Sequence, residues 1–553
     1  MKRLMAVAAA VLATAVLATA GLLTGCSTAK SDGSGAKATS TVRLTTHPTQ
    51  AFQAGWNPFA AQLNAGVSFF YEPLMRVNAQ NPSPQPWLAD SWKFSDGGKT
   101  LTFRLHPGVK WSDGKPLTAK DVKFSLEVPL EHPELNLAGA PYTSVDAPDA
   151  NTVVVQYPKV GYSDLGSFKN RNIYPQHIWA ARNLKTDQNL KPVGSGPVTL
   201  DSFSPQQITL KIRKDYWNGS FPAVKKVAIV AAQESSTRSL LLKDKLDWST
   251  MSWQGAEKNY VALDPEHHKY QVYPLLGSEG VLFNMKKGPT TDVHVRQALT
   301  KAVDVTKVLK VMGTGQPAVN PSGLNNQVGA AWLPADLAGK TLEQDAAGAR
   351  AELAAGGWSV RGGKLSKDGK SYPLTLNVYQ PYANWVDMGT ALKDQWKSVL
   401  SLDVTVNNMP EATFTQKEPV GDFSMETAFT PPSADGSIFG ALNAFSSDYY
   451  TPLGKSAASN FGRFNDPDYS AQIVKMATVD PADTARLKKL AGPALRILAR
   501  QAPFIPIGGS ASFVDINSSH FTGWPTPETA TYTPYTSAGP DTTLTLQRLR
   551  SAS

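Results

Sequence analysis

The chain has one cysteine, Cys26, among 553 residues. A single thiol cannot close a disulfide within the chain, so the fold must be held by hydrophobic cores. With 41% hydrophobic and 18% charged residues, the composition is that of an ordinary globular protein. About 510 residues follow the N-terminal segment, which is too many for one core, so two or three domains are expected.

The residues before Cys26 have the layout of a signal peptide, with a basic start and an apolar run from residue 4 to 23. An uncharged run of about 20 residues also suits a transmembrane helix. The end of the run favours the signal, because "LTGC" (23–26) resembles a bacterial lipobox. The resemblance implies that residues 1–25 are removed and that Cys26 becomes a lipidated N-terminus. Two or more acyl chains give stable anchoring.

Residues 26–40 are rich in Ser, Gly, Ala and Thr and are expected to form a flexible tether. No second long apolar run follows, which predicts a folded body outside the cytoplasm, held at the cell membrane by its lipid. The net charge of +9 comes from Lys and Arg scattered among acids. Nucleic-acid binding is therefore not expected.

The stretch "PWLADSWKFSDGGKTLTFRLHPGVKWSDGKPLTAKDVKFSL" (86–126) predicts a strand, a turn, a short strand and a helix. Apolar and polar side chains alternate over 100–105, as in a half-buried strand. Thr118 and Asp121 resemble a capping box at the start of the helix.

This region also resembles the signature of the family 5 solute-binding proteins of ABC importers, the oligopeptide- and dipeptide-binding class. Five further segments match that family in its order along the chain, at residues 194–219, 292–315, 348–358, 460–476 and 501–507. The resemblance implies an α/β, bilobal fold of the periplasmic-binding-protein type II-like kind (cluster C) with an additional domain. It also implies a hinge between the lobes and a ligand that is enclosed on closure.

Mapped onto this chain, the resemblance implies three domains. Domain I comprises residues 41–73, 193–283 and 500–553, the additional domain II comprises 74–192, and domain III, the second ligand-clamping lobe, comprises 284–499. The expected partners are the permease and ATPase subunits of an importer, and the binding protein itself is expected to be a monomer.

No pattern of catalytic residues accompanies these segments, so a binding protein without turnover, cofactor or metal site is expected. The glycines of "GSGP" (194–197) lack the rest of a phosphate-binding loop. The densest set of metal-ligand residue types, 266–268, is expected to be a solvated turn, because adjacent histidines on a helix point about 100° apart. Nickel-binding members of the family keep a metal chelate open as a ligand.

Peptide-binding relatives hold an extended ligand by main-chain hydrogen bonds, and many place an aspartate to receive its α-ammonium. The matching stretch here is 421–445, where Pro432 or Ser433 stands at the expected position of that aspartate. The nearest carboxylate is Asp435. A buried ammonium without a paired charge is disfavoured by several kcal/mol, so this departure argues against capture of free N-termini.

Strand 426–430 is expected to offer its backbone to the ligand, with Phe429 and Thr430 at the site and side chains alternating between cleft and core. Asp435 has two interpretations. It meets a cationic group of the ligand, or it caps the following helix, 438–445.

Aromatic residues suggest a second class of ligand. Segments resembling a branch of the family that includes cello-oligosaccharide binders occur at 55–59, 382–388 and 521–532. Sugars stack on aromatic faces, although core packing is the alternative for any tryptophan. Candidate ligand-binding residues on this ground are Trp56, Asn57, Trp253 and Trp385. We expect an oligopeptide or peptide-like oligomer first, an oligosaccharide second, and a metal chelate or other solute after these.

Replacing Cys26 with serine removes the thiol that would carry the lipid. Cys26→Ser is therefore expected to abolish incorporation of labelled fatty acid in growing cells and to leave the protein unprocessed or mis-processed. Ser31→Ala, in the predicted tether, is the control and is expected to label normally. Unchanged acyl labelling of Cys26→Ser would contradict the lipid anchor.

Overall fold

The part of the chain that the computed structural model describes is residues 39–60, 63–78, 80–81, 83–135, 140–430, 437–537 and 539–552. The predicted signal peptide, Cys26 and nearly all of the predicted tether lie outside these ranges. None of the helices in the described part has the length and apolar character that crossing a bilayer requires.

The strands are numbered in chain order within the described ranges. They are β1 Thr41–Leu44, β2 Met75–Arg76, β3 Gln85–Pro86, β4 Ala89–Ser95, β5 Thr100–Leu105, β6 Ser144–Asp149, β7 Thr152–Gln156, β8 Val198–Ser204, β9 Gln207–Ile212, β10 Lys226–Val230, β11 Trp248–Ser249, β12 His268–Phe283, β13 Ser359–Arg361, β14 Lys364–Lys367, β15 Lys370–Tyr372, β16 Leu374–Tyr379, β17 Val404–Met409, β18 Met425–Thr430, β19 Phe504–Asn517, β20 Phe521–Thr522 and β21 Arg550–Ser551.

The α-helices are numbered in the same way. They are α1 Val67–Phe70, α2 Ala119–Glu131, α3 Gln176–Trp179, α4 Glu234–Leu242, α5 Ala256–Asn259, α6 Val293–Lys301, α7 Val305–Met312, α8 Ala346–Ala355, α9 Ala383–Leu400, α10 Glu411–Lys417, α11 Ile438–Asn443, α12 Pro467–Ala477, α13 Thr484–Gln501 and α14 Gly539–Arg548.

One ten-stranded mixed sheet runs through the molecule in the order β17-β16-β18-β12-β19-β11-β1-β10-β9-β8. Strands β8 to β11 with β1 form what we call the first half of the sheet, and β16 to β18 form the second half. The long antiparallel pair β12 and β19 belongs to both. A separate four-stranded antiparallel sheet has the order β4-β5-β7-β6, and β13 to β15 form a small sheet.

Each region has its own hydrophobic core. Residues from β1, β9 and β10 pack with those of α1 and α14 in the first half. The second half has a core on each face, one under α6 to α9 and one under α11 to α13. Within residues 74–173, the four-stranded sheet packs against α2, and we call this part of the molecule the four-stranded unit. The exact limits of the three predicted domains stay predictions.

The strand and the helix predicted over 86–126 are present, but the short strand predicted between them is only an isolated bridge between Lys110 and Pro116. Strand β5 begins at Thr100 and buries its apolar face, and α2 follows Thr118. The Thr118 backbone N–H donates to Asp121 Oδ2 at 2.9 Å, as a capping box requires. Likewise, Asp304 accepts from the backbone N–H of Lys307 at 3.1 Å at the start of α7, which Gly313 ends with a φ of 63°.

The "GSGP" glycines serve close packing. A Cβ on Gly194 would lie 2.0 Å from the carbonyl oxygen of Phe70, and one on Gly196 would lie 2.1 Å from that of Phe69. Arg213 donates to the carbonyl oxygens of residues 194, 195 and 196 at 3.1–3.2 Å. The loop is therefore fixed against α1 and holds no space for a phosphate.

A buried carboxylate joins the four-stranded unit to the first half. Glu72 accepts from Trp87 Nε1 at 2.9 Å, Tyr216 Oη at 2.6 Å and Trp217 Nε1 at 3.1 Å. Trp87 belongs to the core of the four-stranded unit and Tyr216 to that of the first half. One side chain thus satisfies buried donors from both cores.

Glu72→Ala is expected to lower the free energy of unfolding by about 3 kcal/mol or more, because it leaves the buried donors of Trp87 and Tyr216 and the partly buried donor of Trp217 without this acceptor. The measurement is urea denaturation. Glu131→Ala, at the exposed end of α2, is the control and should change that free energy by less than about 0.5 kcal/mol. Equal effects of the two substitutions would show that Glu72 does not hold the junction.

Candidate functional site

The two halves of the sheet meet where β12 and β19 cross from one to the other. The antiparallel register of this pair is interrupted between Pro274 and Ser278 and again between Glu279 and Gly280. At the second interruption the backbones approach closely, since a Cβ on Gly280 would lie 1.9 Å from the carbonyl oxygen of Ile505. Such interruptions bend a strand and increase its twist, so the crossing is where the sheet changes direction.

Strand β18, which contains the predicted site residues Phe429 and Thr430, ends beside this crossing. Its register with β12 continues to Thr430, but its register with β16 stops at Glu426. Among the described residues, 427–430 of β18 therefore have a strand neighbour on one side only. On the other side the Tyr379 backbone N–H donates to Thr427 Oγ1 at 3.1 Å, and beyond that contact no described strand pairs with the edge, which we call the open edge of β18.

An aromatic cluster lies on one face of this edge. The ring centroids of Trp385 and Phe429 are 5.0 Å apart, those of Tyr382 and Trp385 are 5.0 Å apart, and those of Tyr382 and Phe429 are 6.3 Å apart. Phe429 is 45% exposed and Tyr382 is 41% exposed, whereas Trp385 is buried. Thr430 points to the opposite face and is buried, with its backbone carbonyl accepting from Ser278 Oγ.

An acidic residue that sequence reasoning missed lies under this cluster. Glu279 of β12 pairs with Phe429 across the strands and therefore shares its face. Its side chain is only 3% exposed, and Oε2 accepts from Trp385 Nε1 at 2.7 Å. Burial raises the pKa of Glu279 to about 7, although Trp385 and Gln316 favour the charged form.

A signal for Glu279 was present in the sequence. In "LLGSEGVLF" (275–283) an ionisable residue falls on the same strand face as Val281 and Phe283, which are core residues. An acid at an inward position of an apolar strand is a candidate functional residue. The aromatic partners of Glu279 come from positions more than 100 residues away, so the local pattern does not reveal them.

A loop of the first half contacts the second half close to the cluster. Gln254 Nε2 donates to Asp387 Oδ2 of α9 at 2.9 Å and to the carbonyl oxygen of Val311 at 3.1 Å. The predicted site residue Trp253, in the same loop, is buried and stacks on Tyr260 with centroids 4.7 Å apart. The loop thus bridges the halves, while the Trp253 ring faces a small core.

Trp56 and Asn57 lie in the first half, away from the aromatic cluster. Trp56 is 1% exposed and donates from Nε1 to the carbonyl oxygen of Ala65 at 3.1 Å. Asn57 Nδ2 donates to the carbonyl oxygen of Leu184 at 2.8 Å. These contacts fix loops and pack a core. Ligand contact by Trp56, Asn57 and Trp253 stays a prediction.

Asp435 lies outside the described residues. The alternative that it caps the next helix is corrected by α11, which starts at Ile438 and is capped by Ser437, whose Oγ accepts from the backbone N–H of Gly440 at 2.9 Å. The helix also ends at Asn443, two residues before the predicted end.

The predicted turn at 266–268 is not fully solvated. His267 Nδ1 lies 2.9 Å from Asp264 Oδ2, but His268 begins β12, is buried, and stacks on Tyr260 with centroids 4.2 Å apart. Among the described residues, no group of three or more His, Cys, Asp or Glu side chains is arranged to hold a metal ion.

A cavity of about 1040 Å³ lies between α2 of the four-stranded unit and residues 176–185. Its lining mixes acids and bases, among them Lys123, Glu131 and Arg182. None of its residues belongs to the aromatic cluster or to the crossing strands.

Two sheet halves joined by crossing strands, with a strand edge and exposed rings at the crossing, give a two-lobed protein with a candidate ligand site where the halves meet. The family model described as bacterial extracellular solute-binding proteins, family 5, middle region, matches residues 83–449. The chain belongs to this family. Its members are substrate-binding proteins of transporters and not enzymes.

Individual relatives agree with this assignment. The periplasmic murein peptide-binding protein MppA of Escherichia coli (strain K12) is 26% identical over 453 residues, covering 76% of this chain and 79% of that protein. The probable deoxycholate-binding periplasmic protein YgiS of the same strain is 26% identical over 450 residues, with the same two coverages.

A solved structure gives the fold. The mannohexaose-bound periplasmic oligopeptide-binding protein of an ABC transporter from Thermotoga maritima has a TM-score of 0.76 to this chain at 20% identity. The match covers 93% of this chain and 98% of that chain. The predicted bilobal α/β fold is confirmed.

Phe429→Ala should lower the free energy of unfolding by less than about 1.5 kcal/mol, because nearly half of that side chain is already in water, whereas Trp56→Ala should lower it by about 3–5 kcal/mol. Urea denaturation of both variants is the measurement. Comparable losses would mean that Phe429 is a core residue and not part of an open site.

Proposed function

We propose that this protein is the lipid-anchored, extracytoplasmic binding component of an ABC importer. It captures oligopeptides or peptide-like oligomers between its two halves, closes by rotation at the crossing strands, and delivers the solute to the permease. It acts as a monomer and releases its ligand unchanged. The domain limits given above, 41–73 with 193–283 and 500–553, 74–192, and 284–499, are part of this proposal.

The open edge of β18 is the observation that carries the peptide assignment. An extended peptide satisfies such an edge by adding a strand, with main-chain hydrogen bonds giving affinity and alternate side chains entering pockets. Residues 427–430 supply the edge, and Phe429 projects from it with 45% of its side chain exposed. A sugar has no backbone N–H and C=O groups spaced as in a β-strand, so it cannot pair with the edge in this way.

Closure is supported by the way the halves are joined. Two strands cross between them, and the register of this pair is interrupted at Pro274–Ser278. Other contacts between the halves are local, such as Gln254 to Asp387. A mostly apolar cavity of about 130 Å³ separates residues 162–166 from Ile438 and Leu487 of the second half. Hinge motion needs only a few residues that absorb the backbone change.

An oligosaccharide is the second candidate, favoured by the exposed rings of Phe429 and Tyr382, which offer stacking surfaces next to the edge. The Thermotoga maritima protein described as mannohexaose-bound also supports an oligosaccharide as the ligand. A bound oligosaccharide would leave the open edge of β18 without a strand-like partner. We therefore prefer a peptide as the ligand.

The test uses the protein without its lipid, screened by thermal shift against pools of uncharged-side-chain pentapeptides and cello-oligosaccharides. Peptides are expected to raise the unfolding temperature, since a ligand at a hundred times its Kd adds about 2.7 kcal/mol. The best peptide is then N-methylated at one amide at a time. A strand-like ligand turns alternate amides to the protein. Each methylation at one of these amides should weaken binding by about 1–3 kcal/mol.

Methylation of the intervening amides, which a strand-like ligand turns away from the protein, is the internal control and should leave the affinity nearly unchanged. Mass spectrometry of the recovered peptide should show it intact, and small-angle scattering should show a smaller radius of gyration with ligand. Stabilisation by the sugars alone would replace the peptide by the second candidate. Cleavage of the peptide would refute a pure binding role.

A further inference from the structure

Glu279 is a buried carboxylate with an incomplete set of hydrogen bonds. Oε2 accepts from Trp385 Nε1, whereas no described group meets hydrogen-bond geometry at the fully buried Oε1, and the Gln316 side chain gives only a weaker stabilisation of the charge. Burying an ionisable group without a full set of partners is costly, and such groups in native structures call for an explanation.

No basic side chain of the described chain neutralises it. Burial raises the pKa of Glu279, and the hydrogen-bonding side chains that oppose this shift are Trp385 of α9 and Gln316 of the loop after α7. Glu279 takes part in none of the ion pairs of the described residues. Tyr382, the residue before α9, is a titratable neighbour of Glu279. Tyr379 of β16 and the exposed Glu411 of α10 are in turn neighbours of Tyr382. Burial raises the pKa of both tyrosines, so both remain neutral at physiological pH.

The rings above the carboxylate add a second attraction for positive charge. Phe429, Tyr382 and Trp385 lie within 5.0–6.3 Å of one another, measured between centroids. Aromatic faces attract ammonium and guanidinium groups, and the effect is strongest where water is excluded. Carboxylate and rings therefore favour the same kind of ligand group, whereas an anion would be repelled and a neutral hydroxyl would leave the charge unpaired.

We propose that Glu279, with Tyr382, Trp385 and Phe429, binds a cationic ammonium group of the ligand. The proposal rests on the proposed function, because the site lies beside the open edge of β18. Phe429 is paired with Glu279 in the sheet register, so a ligand strand along that edge passes the carboxylate. Glu279 is only 3% exposed, so in this proposal the ammonium enters when the exposed rings of Phe429 and Tyr382 turn aside.

This site supplies the charge that position 432 or 433 lacks. The carboxylate stands on the crossing strand and not on the segment after β18, so the ammonium is held next to the hinge. Two sources carry the same chemistry, the α-ammonium of a peptide and the ε-ammonium of its lysine.

The experiment uses isothermal titration of wild type and Glu279→Gln with three forms of one pentapeptide that has no Lys, Arg or His. The forms are the free N-terminus, the N-acetylated peptide, and the N-acetylated peptide with one lysine introduced. Wild type should bind the better of the two cationic forms about ten- to a hundredfold more tightly than the neutral form. Glu279→Gln should bind all three forms with the wild-type affinity for the neutral one, which also shows that the variant is folded.

Glu411→Gln, an exposed acid beside the cluster, is the matched control and should keep the preference for a cation. Loss of that preference in Asp435→Asn but not in Glu279→Gln would overturn the proposal and move the site to Asp435. Equal binding of all three forms by wild type would overturn this site while leaving the proposed function standing. Failure of wild type to bind any form would overturn both.

The pH dependence of wild type tests the proposal without a substitution. Because the free carboxylate titrates near pH 7 and the cation needs it charged, affinity for the cationic peptide should fall about tenfold from pH 7 to pH 5.5. One proton should be released on binding at the lower pH. The neutral peptide should show no change, and a flat profile for the cationic peptide would overturn the proposal.

Discussion

The pairing of β12 with β19 is the constraint on which the rest of the fold depends. It is the backbone ladder shared by the two halves, and residues from it belong to cores on both sides, such as Val281 in one and Val514 in the other. The backbones touch so closely at Gly280 that no side chain fits there. Because Gly280 contributes no side chain to packing, the strand pair is stabilised by its other residues, which pack into the cores of both halves.

The site follows from this arrangement. A strand that passes from one half to the other brings β18 and α9 to the same place, although Phe429 and Trp385 are far from Glu279 in sequence. An acid on an inward face weakens the fold, because its charge leaves water without a full set of partners. In the proposed site, the stability lost by burying Glu279 would be recovered when a cationic ligand pairs with it.

Much of the fold could be predicted from the sequence, because the signals were local. The alternation over 100–105 and the caps at Asp121 and Asp304 each depend on residues within one turn or one strand. The aromatic candidates show the limit. Trp385 and Phe429 meet in the structure, whereas Trp56 and Trp253 pack in separate cores, and all four are equally aromatic in the sequence. The difference is tertiary burial, which requires knowing which strands are neighbours.

The junction at Glu72 has a mechanical consequence. Because Glu72 accepts hydrogen bonds from the four-stranded unit and from the first half, these two parts would move as one body in the proposed closure. A small rotation at residues 275–277 would then produce a larger change in distance far from the hinge, where residues 162–166 face Ile438 and Leu487 across a cavity. A pair of spectroscopic labels placed across that gap would therefore magnify a rotation that is hard to see at the pivot.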